Sequence, residues 1–585
     1  MKIFCLYFIL LLIGFKIING QTTIFSESIY GNGDEEIISS AVDNSGNVYY
    51  LGNYLSTTIN FNNGISLNSS GGNEIFLAKY NSLGICQWAK RIYGNNCFAT
   101  GIAIDNSGNI FICGFFTSST INFNNGIFLN LYDSEDGFFA KYNSNGICQW
   151  AELVYGTDSQ KINALDLSTN GDIIIIGSTG SNTTYFNNSI SVGSYGGSDA
   201  FVAFYNNLHI CQWATNIGGN DDDNGNTIKV DNLGYIIIGG DYYSNPIYFP
   251  NSISLTNCCD LTIFYSKFDN TGNCLWAEKI YGNGPATIIK LDIDASNNIY
   301  LTGYYSSAIL NFNNSISINN NQIIQSFLAK FNSYGLTQWT IPFAGDFIDY
   351  SSDIFVDSDD RIFISGIQLS SIINFNNGKS LVNNLGANAF WAQYNTNGLC
   401  QRVFKAEGNN FNVGYSVLSY NNIIYLSGSY ESDTLYFNNN YSLINTNAAD
   451  AFISKISLFN LPIVSTSQIS NITASTAQGG GIVTSSGESP VTSRGICFSS
   501  NPNPTINDNI VISGNGLGSY ISIMTNLNAN TIYYLRAFAT NSYGTNYGNQ
   551  ITFSTIPTLG FWSFTLLIAS IIILGIFYIY KIKSY

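Results

Sequence analysis

The chain contains a single histidine, His209, and only 21 lysines and arginines among its 585 residues. Basic residues are too few and too scattered to form the clusters that polyphosphate binding needs, and the net charge is −16, so we predict no nucleic-acid partner. With one histidine, zinc ligands of the ordinary His/Cys spacing are absent, and His209 is predicted to be structural. Hydrophobic residues hardly ever follow a helical period, which favours an all-β chain.

Catalytic patterns are equally scarce. No Gly-X-Ser-X-Gly elbow accompanies His209, and we predict that the chain is not an enzyme and needs no cofactor. Asp221-X-Asp223-X-Gly225 loosely resembles a calcium loop, but it lacks the later bidentate glutamate. Asp221 and Asp223 are therefore only weak metal candidates, and solvated loop acids are the preferred interpretation.

A repeat of 62 or 63 residues dominates the chain. Its marker is a Phe-Asn-Asn core that occurs seven times, once with proline in the middle. The phenylalanines are Phe61, Phe123, Phe186, Phe249, Phe312, Phe375 and Phe437. A fixed period of this size indicates an array of units that bury their apolar faces against one another.

Each unit is predicted to contain four antiparallel strands. In the second unit they are 100–105, 110–115, 137–142 and 147–154, with tight turns after the first and the third. A polar connection of about twenty residues, which carries the Phe-Asn-Asn core, joins the second strand to the third. Four short strands per repeat are typical of a propeller blade.

The two ends of the array predict how it is completed. No fourth strand follows residues 451–456 in the seventh unit, whereas residues 22–31 end in the same Ile-Tyr-Gly as residues 86–94. We therefore predict a seven-bladed β-propeller closed by an N-terminal strand, with Phe25 at the position of a recurrent tryptophan. A linear solenoid is the alternative. The tryptophans, predicted to be largely buried, are Trp88, Trp150, Trp213, Trp276 and Trp339, and Arg402 replaces the sixth.

The runs 102–114 and 137–142, followed by Trp150 and Tyr155-Gly156, resemble the SBBP-type beta-propeller repeat family. The resemblance covers roughly residues 22–458. It implies a surface or secreted protein and says almost nothing about activity. The Phe-Asn-Asn insert departs from the usual pattern of the family, so no ligand is transferred from it.

The two ends of the chain carry targeting patterns. Residues 1–20 resemble a secretory signal peptide. Leu559–Tyr580 carries no charge and is predicted to be a transmembrane helix within 558–580, followed by a cytoplasmic tail, 581–585, that contains Lys581 and Lys583. The predicted location is the cell membrane, single-pass, with the ectodomain extracellular. A lipid anchor and retention in the endoplasmic reticulum membrane through the two lysines are the alternatives.

Residues 461–557, which follow the propeller of 21–460, differ from it in composition. Short alternating strands separated by Gly, Asn and Pro turns predict a β-sandwich. The run from Leu527 to Ala537 resembles fibronectin type III-like modules, with Tyr533 as the expected tyrosine-corner residue. Its predicted role is that of a spacer.

Two residue classes remain. The cysteines at one repeat position are predicted to be apolar core groups: Cys86, Cys148, Cys211, Cys274 and Cys400. An extracellular setting permits disulfides among Cys97, Cys113, Cys258 and Cys259, with no connectivity deducible. The predicted N-glycosylation sites are Asn68, Asn182, Asn187, Asn313, Asn440 and Asn471.

These patterns predict a cell-surface recognition or adhesion protein whose propeller binds an extracellular protein or glycan. A propeller enzyme acting on surface glycans and a membrane protein of the endoplasmic reticulum are the alternatives. Because loop length favours recognition, we expect the functional surface on the face that carries the long connections. The Phe-Asn-Asn cores themselves are predicted to be structural, with the phenylalanine packed inward and the asparagines capping loop backbone.

Overall fold

The computed structural model describes residues 22–257, 260–320, 323–343, 345–437, 441–445, 448–459, 461–487, 489–557, 568–576 and 578. They form two compact units, one of Thr23–Ile456 and one that begins at Ser457. The predicted signal peptide, 1–20, and the predicted tail, 581–585, lie outside the described residues. Each unit is all-β.

The first unit contains seven four-stranded repeats, which we call repeat sheets 1 to 7. Five of them are separate four-stranded sheets, and sheets 2 and 4 are each extended to six strands by a hairpin of the next repeat. Their strands, from the first to the fourth, are β2 (Glu35–Val42), β3 (Val48–Tyr54), β6 (Glu74–Tyr80) and β7 (Cys86–Ile92) in sheet 1; β8 (Cys97–Ile104), β9 (Ile110–Phe116), β12 (Asp136–Tyr142) and β13 (Cys148–Gly156) in sheet 2; β14 (Gln160–Leu167), β15 (Ile173–Thr179), β18 (Asp199–Tyr205) and β19 (Cys211–Ile217) in sheet 3; β20 (Asp223–Val230), β21 (Ile236–Tyr242), β24 (Thr262–Phe268) and β25 (Cys274–Gly282) in sheet 4; β26 (Ala286–Ile293), β27 (Ile299–Tyr305), β30 (Gln325–Phe331) and β31 (Thr337–Phe343) in sheet 5; β32 (Asp349–Val356), β33 (Ile362–Gln368), β36 (Asn388–Tyr394) and β37 (Cys400–Ala406) in sheet 6; and β38 (Asn412–Tyr420), β39 (Ile423–Tyr430), β42 (Asp450–Ser457) and β1 (Thr22–Ile29) in sheet 7.

The N-terminal strand β1 lies beside β42 as the fourth strand of repeat sheet 7. The Ser26 hydroxyl donates to the Ser454 hydroxyl at 3.0 Å across this pair, and Ile29 is fully buried. The first strands of successive sheets are neighbours, and β38 is in turn the neighbour of β2. The sheets therefore follow one another around a ring, and none of them closes into a barrel.

The core lies between neighbouring repeat sheets. The second and third strands are buried along nearly their whole length, because both faces of these inner strands are covered. In β15, for example, Ile173, Ile174, Ile175 and Ile176 are all fully buried. Burial of this kind, repeated in every sheet, supplies most of the stability of the ring.

The long connections between the second and third strands form short hairpins. They are β4 (Thr58–Asn60) with β5 (Ser66–Asn68), β10 (Thr120–Asn122) with β11 (Phe128–Asn130), β16 (Thr183–Tyr185) with β17 (Ser191–Gly193), β22 (Ile247–Phe249) with β23 (Ile253–Leu255), β28 (Ile309–Asn311) with β29 (Ser317–Asn319), β34 (Ile372–Asn374) with β35 (Ser380–Val382), and β40 (Thr434–Tyr436) with β41 (Ser442–Ile444). Two of the hairpins pair with the fourth strand of the preceding sheet, β16 with β13 and β28 with β25. They thus cover outer edges that would otherwise be exposed.

The second unit consists of two antiparallel sheets. Its strands are β43 (Ile463–Thr466), β44 (Ala477–Ser485), β45 (Ser493–Ser499), β46 (Asn509–Ile512), β47 (Gly518–Met524), β48 (Ile532–Asn541), β49 (Gly544–Tyr547) and β50 (Ile551–Ser554). One sheet has the order β43-β44-β47, and the other has the order β46-β45-β48-β49, with β50 also paired to β48. Buried side chains of both sheets, among them Val483, Ile496 and Leu535, form one core.

The predicted transmembrane helix requires a correction. Within the described residues of Leu559–Tyr580, positions 568–576 and 578 are helical. No helix in the described part of the chain is long and apolar enough to span a membrane. The predicted fold class is therefore wrong in including such a helix, and the predicted single-pass location in the cell membrane, or in the endoplasmic reticulum membrane, is not supported. The fold is all-β, with many separate sheets.

Candidate functional site

The first strands of all seven repeat sheets surround one cavity of about 570 Å³. Each of these strands carries a β-bulge at the same repeat position, and the bulged residues line the cavity. They are Ile38, Thr100, Asn163, Asn226, Ile289, Ser352 and Tyr415. Bulges redirect side chains and are frequent beside functional sites. The bulge thus explains why this one position, with its varied side chains, faces the centre of the ring.

The repeat loses its regularity three residues after the bulge. At this position repeat sheets 3, 4 and 5 carry Asp166, Lys229 and Asp292, whereas the other sheets carry apolar residues. The apolar residues are Ala41, Ala103, Phe355 and Leu418. The central cavity therefore has a charged wall on one side and an apolar wall on the other.

Ion pairs connect neighbouring strands along the charged wall. Lys229 Nζ lies 3.4 Å from Asp292 Oδ1, and Lys290 Nζ lies 2.7 Å from Asp353 Oδ1. The carboxylates of Asp292 and Asp166 raise the pKa of Lys229, so its ammonium group is strongly held in the charged form. Burial raises the pKa of Asp166, even though Lys229 favours its ionised form.

The carboxylates of the same wall also bind backbone. Asp166 accepts the Val230 N–H at 2.8 Å, and Asp292 accepts the Val356 N–H at 2.7 Å. Each acid thus joins its own first strand to the first strand of the next sheet. Since one carboxylate oxygen is occupied in this way, the acids are rigidly placed. The two lysines keep part of their side chains exposed, with about a third of each accessible to solvent.

A second cavity, of about 540 Å³, shares Asp166, Lys229 and Asp292 with the first. Its rim is made of turns between first and second strands, with exposed residues such as Asn170 and Asn232. This cavity is the mouth of the central cavity on the face that carries the short turns. Chemically, the mouth offers ammonium and carboxylate groups beside apolar surface, which suits an inserted group that is itself partly polar.

The Phe-Asn-Asn cores hold the hairpins against their own sheets. Phe186 is buried, the Asn187 amide donates to the His209 carbonyl at 2.7 Å, and its oxygen accepts the Cys211 N–H at 2.7 Å. Asn188, the second asparagine, donates to the Cys211 carbonyl at 2.9 Å. Equivalent bonds occur for Asn376 and its neighbour in sheet 6. Hydrogen bonds therefore hold the long connections along the sheets, and these connections are not free loops. This weakens the expectation that the functional surface lies on the face that carries them.

His209 stands where most of the turns between third and fourth strands have glycine. Its backbone has a φ of 53°, and its ring stacks on Trp150 with centroids 4.6 Å apart. Nδ1 lies 2.7 Å from Glu152 Oε1. The only histidine is thus engaged in packing between sheets 2 and 3, away from the residues of the central cavity.

The weak metal candidates do not form a ligand set. Asp223 is buried and accepts the Ser244 hydroxyl at 2.7 Å, and burial raises its pKa to about 7. Asp221 is exposed. Among the described residues, no group of three or more His, Cys, Asp or Glu side chains is placed to hold a metal ion.

The sequons lie in different environments. Asn68 and Asn182 are exposed, and Asn471 is exposed but donates to Gln478 Oε1 at 2.7 Å. The amide nitrogens of Asn187 and Asn313 donate to backbone carbonyls. Asn440 lies outside the described residues. Sequon occupancy remains a prediction.

The described cysteines are buried free thiols. They are Cys86, Cys97, Cys113, Cys148, Cys211, Cys274, Cys400 and Cys497. Burial raises the pKa of each of these thiols to about 12, as for Cys113. Cys258 and Cys259 lie outside the described residues.

No protein-family model matches the chain. An uncharacterized WD repeat-containing protein of Acanthamoeba polyphaga mimivirus is 25% identical over 482 residues, covering 67% of this chain and 34% of the relative. The chain thus spans about a third of the length of this relative. Together, the repeat sheets and this relative define a repeat β-propeller-like protein.

Solved structures with some similarity include a phage phi92 endosialidase, with a TM-score of 0.37 and 10% identity over 92% of this chain and 89% of that chain. Domains of titin match with a TM-score of 0.14 and 10% identity, covering 47% of this chain and 99% of that chain. At these scores neither likeness bears on the activity of this protein. The expectation that the chain is not an enzyme stays a prediction.

Sequence reasoning missed the central cavity. In the sequence, the sharpest break in the repeat is Arg402, which replaces a tryptophan on a fourth strand. The change from apolar residues to Asp166, Lys229 and Asp292 was visible at the 63-residue spacing, but only the bulge shows that this position faces the centre.

Proposed function

We propose that the chain is a recognition protein that binds a protein or glycan partner at the mouth of the central cavity. The observation that supports this is the loss of repeat symmetry there, with Asp166, Lys229 and Asp292 facing an apolar wall. In a fold built from repeats, the place where the pattern breaks without a gain in packing is the preferred candidate for function. The partly exposed lysines and the apolar wall would together hold a group inserted by the partner.

The test is binding of the full chain to arrays of purified proteins and defined glycans. Asn170→Arg with Asn232→Arg narrows the mouth through two exposed turn residues and leaves the ion pairs in place. We expect the double variant to lose at least tenfold in affinity for the partner. Asn397→Arg, on an exposed turn between a third and a fourth strand, is the matched control and should bind normally. A partner that binds all three proteins equally would disprove the assignment to the mouth.

We also propose that the repeats are of the SBBP type and that 461–557 is a fibronectin type III-like module. The second proposal is supported by Tyr533, whose hydroxyl accepts the Asn528 N–H at 3.1 Å. A bond from this tyrosine to backbone a few residues upstream is the geometry of a tyrosine corner. Tyr533→Phe should therefore destabilise residues 461–557 expressed alone, and an unchanged melting temperature would argue against the module.

A further inference from the structure

One serine recurs after the second strand of each repeat sheet. The seven residues are Ser56, Ser118, Ser181, Ser244, Ser307, Ser370 and Ser432. In six sheets its hydroxyl accepts a backbone N–H from the loop that enters the sheet, at 2.7–3.0 Å. The donors are Gly33, Asp158, Asp221, Gly284, Phe347 and Asn410. This bond fastens the entering loop to the outside of the ring.

Repeat sheet 2 is the exception. Ser118 donates instead to the Thr120 carbonyl at 3.0 Å, and its oxygen lies 3.6 Å from Cys97 Sγ. The residue that corresponds to the six donors is Asn95, which is exposed. The entering loop at Gly94 and Asn95 does not make this bond to Ser118, and a cavity lies beside the loop.

This cavity, between repeat sheets 1 and 2, has a volume of about 260 Å³. Its lining consists of hydroxyl and amide side chains, one glycine, Gly94, and one aromatic ring, that of Tyr93. The lining includes Ser70, Tyr93, Asn95, Ser119, Thr120 and Asn122. None of the lining residues carries a carboxylate, an ammonium or a guanidinium group. A charged ligand would therefore lose its hydration without gaining an opposite charge.

Tyr93 is held firmly in the wall. The Arg91 guanidinium stacks over its ring at 4.3 Å, and Arg91 is itself paired with the buried carboxylate of Glu74. Tyr93 also exchanges two backbone hydrogen bonds with Asn122, at 3.0 and 2.8 Å. The Glu74 carboxylate already compensates the positive charge of Arg91. The arginine therefore fixes the Tyr93 ring in place without attracting anions into the cavity.

The next boundary, between repeat sheets 2 and 3, shows what fits beside such a tyrosine. Tyr132 and Tyr195 occupy the repeat position at which sheet 1 has the small Ser70. The ring of Tyr132 packs against Tyr155, the equivalent of Tyr93, with centroids 5.0 Å apart. At this repeat position the fold thus accommodates a six-membered ring, and Ser70 leaves the corresponding side of the cavity open.

We propose that this cavity binds a single ring of a neutral carbohydrate. The hydroxyl and amide groups match the hydroxyls of a pyranose, and the tyrosine offers a face for its C–H groups. The volume lies below the roughly 300 Å³ at which pockets for drug-sized ligands begin, so it suits one monosaccharide unit. The site is separate from the mouth of the central cavity and does not depend on the function proposed there.

The test uses saturation-transfer NMR and calorimetry on the full chain. The probes are methyl α-mannopyranoside, methyl β-galactopyranoside and methyl N-acetyl-β-glucosaminide, with methyl β-glucuronide and N-acetylneuraminic acid as anionic comparators. We expect at least one neutral probe to bind and both anionic probes to bind at least tenfold more weakly. Absence of binding by all three neutral probes, or preference for an anionic one, would overturn the proposal.

Variants locate the binding. Ser70→Tyr, at an exposed position, introduces the residue found at the next boundary and should lower affinity at least tenfold. Because the Ser70 hydroxyl accepts from the Arg91 guanidinium and donates to Glu74, the melting temperature of the variant is measured alongside binding. Tyr93→Ala should have a similar effect. Tyr281→Ala removes the equivalent tyrosine at a boundary where Ser307 makes its regular bond, and it should bind normally. Unchanged binding by Ser70→Tyr would place the sugar elsewhere and refute the site. The Asn170→Arg with Asn232→Arg protein should keep sugar binding, so the two proposals can fail separately.

Discussion

Phe25 of β1 packs directly over Gly84, in the turn between the third and fourth strands of repeat sheet 1. The same relationship joins a fourth-strand tryptophan to a turn glycine of the next sheet at four other places. The pairs are Trp88 with Gly146, Trp213 with Gly272, Trp276 with Gly335, and Trp339 with Gly398. An aromatic ring on a fourth strand thus seals each of these boundaries against the next turn.

This relationship explains why Arg402 can stand at the position of the recurrent tryptophan. The ring at its position would pack on a turn between the third and fourth strands of repeat sheet 7, but the fourth strand of that sheet comes from the N-terminus. Sheet 7 has no turn between its third and fourth strands, so a tryptophan at position 402 would have no turn to pack against. The five tryptophans are partly buried rather than largely buried, because the turn covers only part of the indole.

The first prediction concerns Gly84. Its φ is +78°, and any Cβ would overlap the Phe25 ring, whereas Gly64, with a φ of +71°, has open space around it. We expect Gly64→Ala to cost about 1 kcal/mol through its backbone alone and Gly84→Ala about 2–4 kcal/mol, measured by urea unfolding. Equal costs for the two variants would show that the Phe25 contact contributes nothing.

The second prediction concerns pH. Glu35 and Asp450 are buried where sheets 7 and 1 meet, and in the described part of the chain no ion pair joins a cation to either. Burial raises the pKa of Glu35 to about 8 and that of Asp450 to about 6. Since the folded state holds these protons more tightly, their contribution to stability is full below about pH 4 and is lost as the pH rises through 6 and then 8.

We therefore expect the free energy of unfolding to fall by about 2–4 kcal/mol between pH 5 and pH 8.5. Glu35→Gln should flatten much of this decline, and Asp133→Asn, an exposed substitution, should leave it unchanged. Chemical unfolding at several pH values measures the effect. A decline in Glu35→Gln as steep as in the natural sequence would contradict the assignment to this pair.

The third prediction concerns glycosylation in a secretory expression host. The side-chain amide nitrogens of Asn187 and Asn313 are held against the sheets by hydrogen bonds to backbone carbonyls, and a glycan on either nitrogen would have to fit beside that bond, so folded protein should carry none there. Asn68 and Asn182 are exposed and should be the occupied sites of the ring. Site-resolved mass spectrometry of the folded fraction tests this, and a glycan on Asn187 would refute it.

The fourth prediction concerns thiol reactivity. Cys86 and its repeat equivalents are buried, and burial raises the pKa of these thiols to about 12, so almost no thiolate is present at pH 8. We expect iodoacetamide to leave them unlabelled in the native protein for hours and to label them fully after unfolding in urea. Rapid native labelling of Cys86 would show that sheet 1 opens readily.

Much of the ring could be predicted from residues alone. The 63-residue spacing, the two-residue alternation and the Ile-Tyr-Gly match between residues 22–31 and 86–94 predict the strands, their order and the place of β1. The Phe-Asn-Asn cores were also correctly expected to be structural, since Phe186 is buried and Asn187 bonds backbone. The predicted transmembrane helix is wrong, since no helix in the described part of the chain is long and apolar enough to cross a membrane.

The sequence by itself determined the repeat unit, because strand periodicity and turn residues are local properties that recur at a fixed spacing. Only the tertiary structure decided which of the repeated positions face a cavity. Asp166 and Lys229 face the centre because a bulge turns the first strands, and the cavity beside Tyr93 lies where Ser118 bonds Thr120 instead of the entering loop. Both depend on contacts between residues far apart in the chain, which no local pattern encodes.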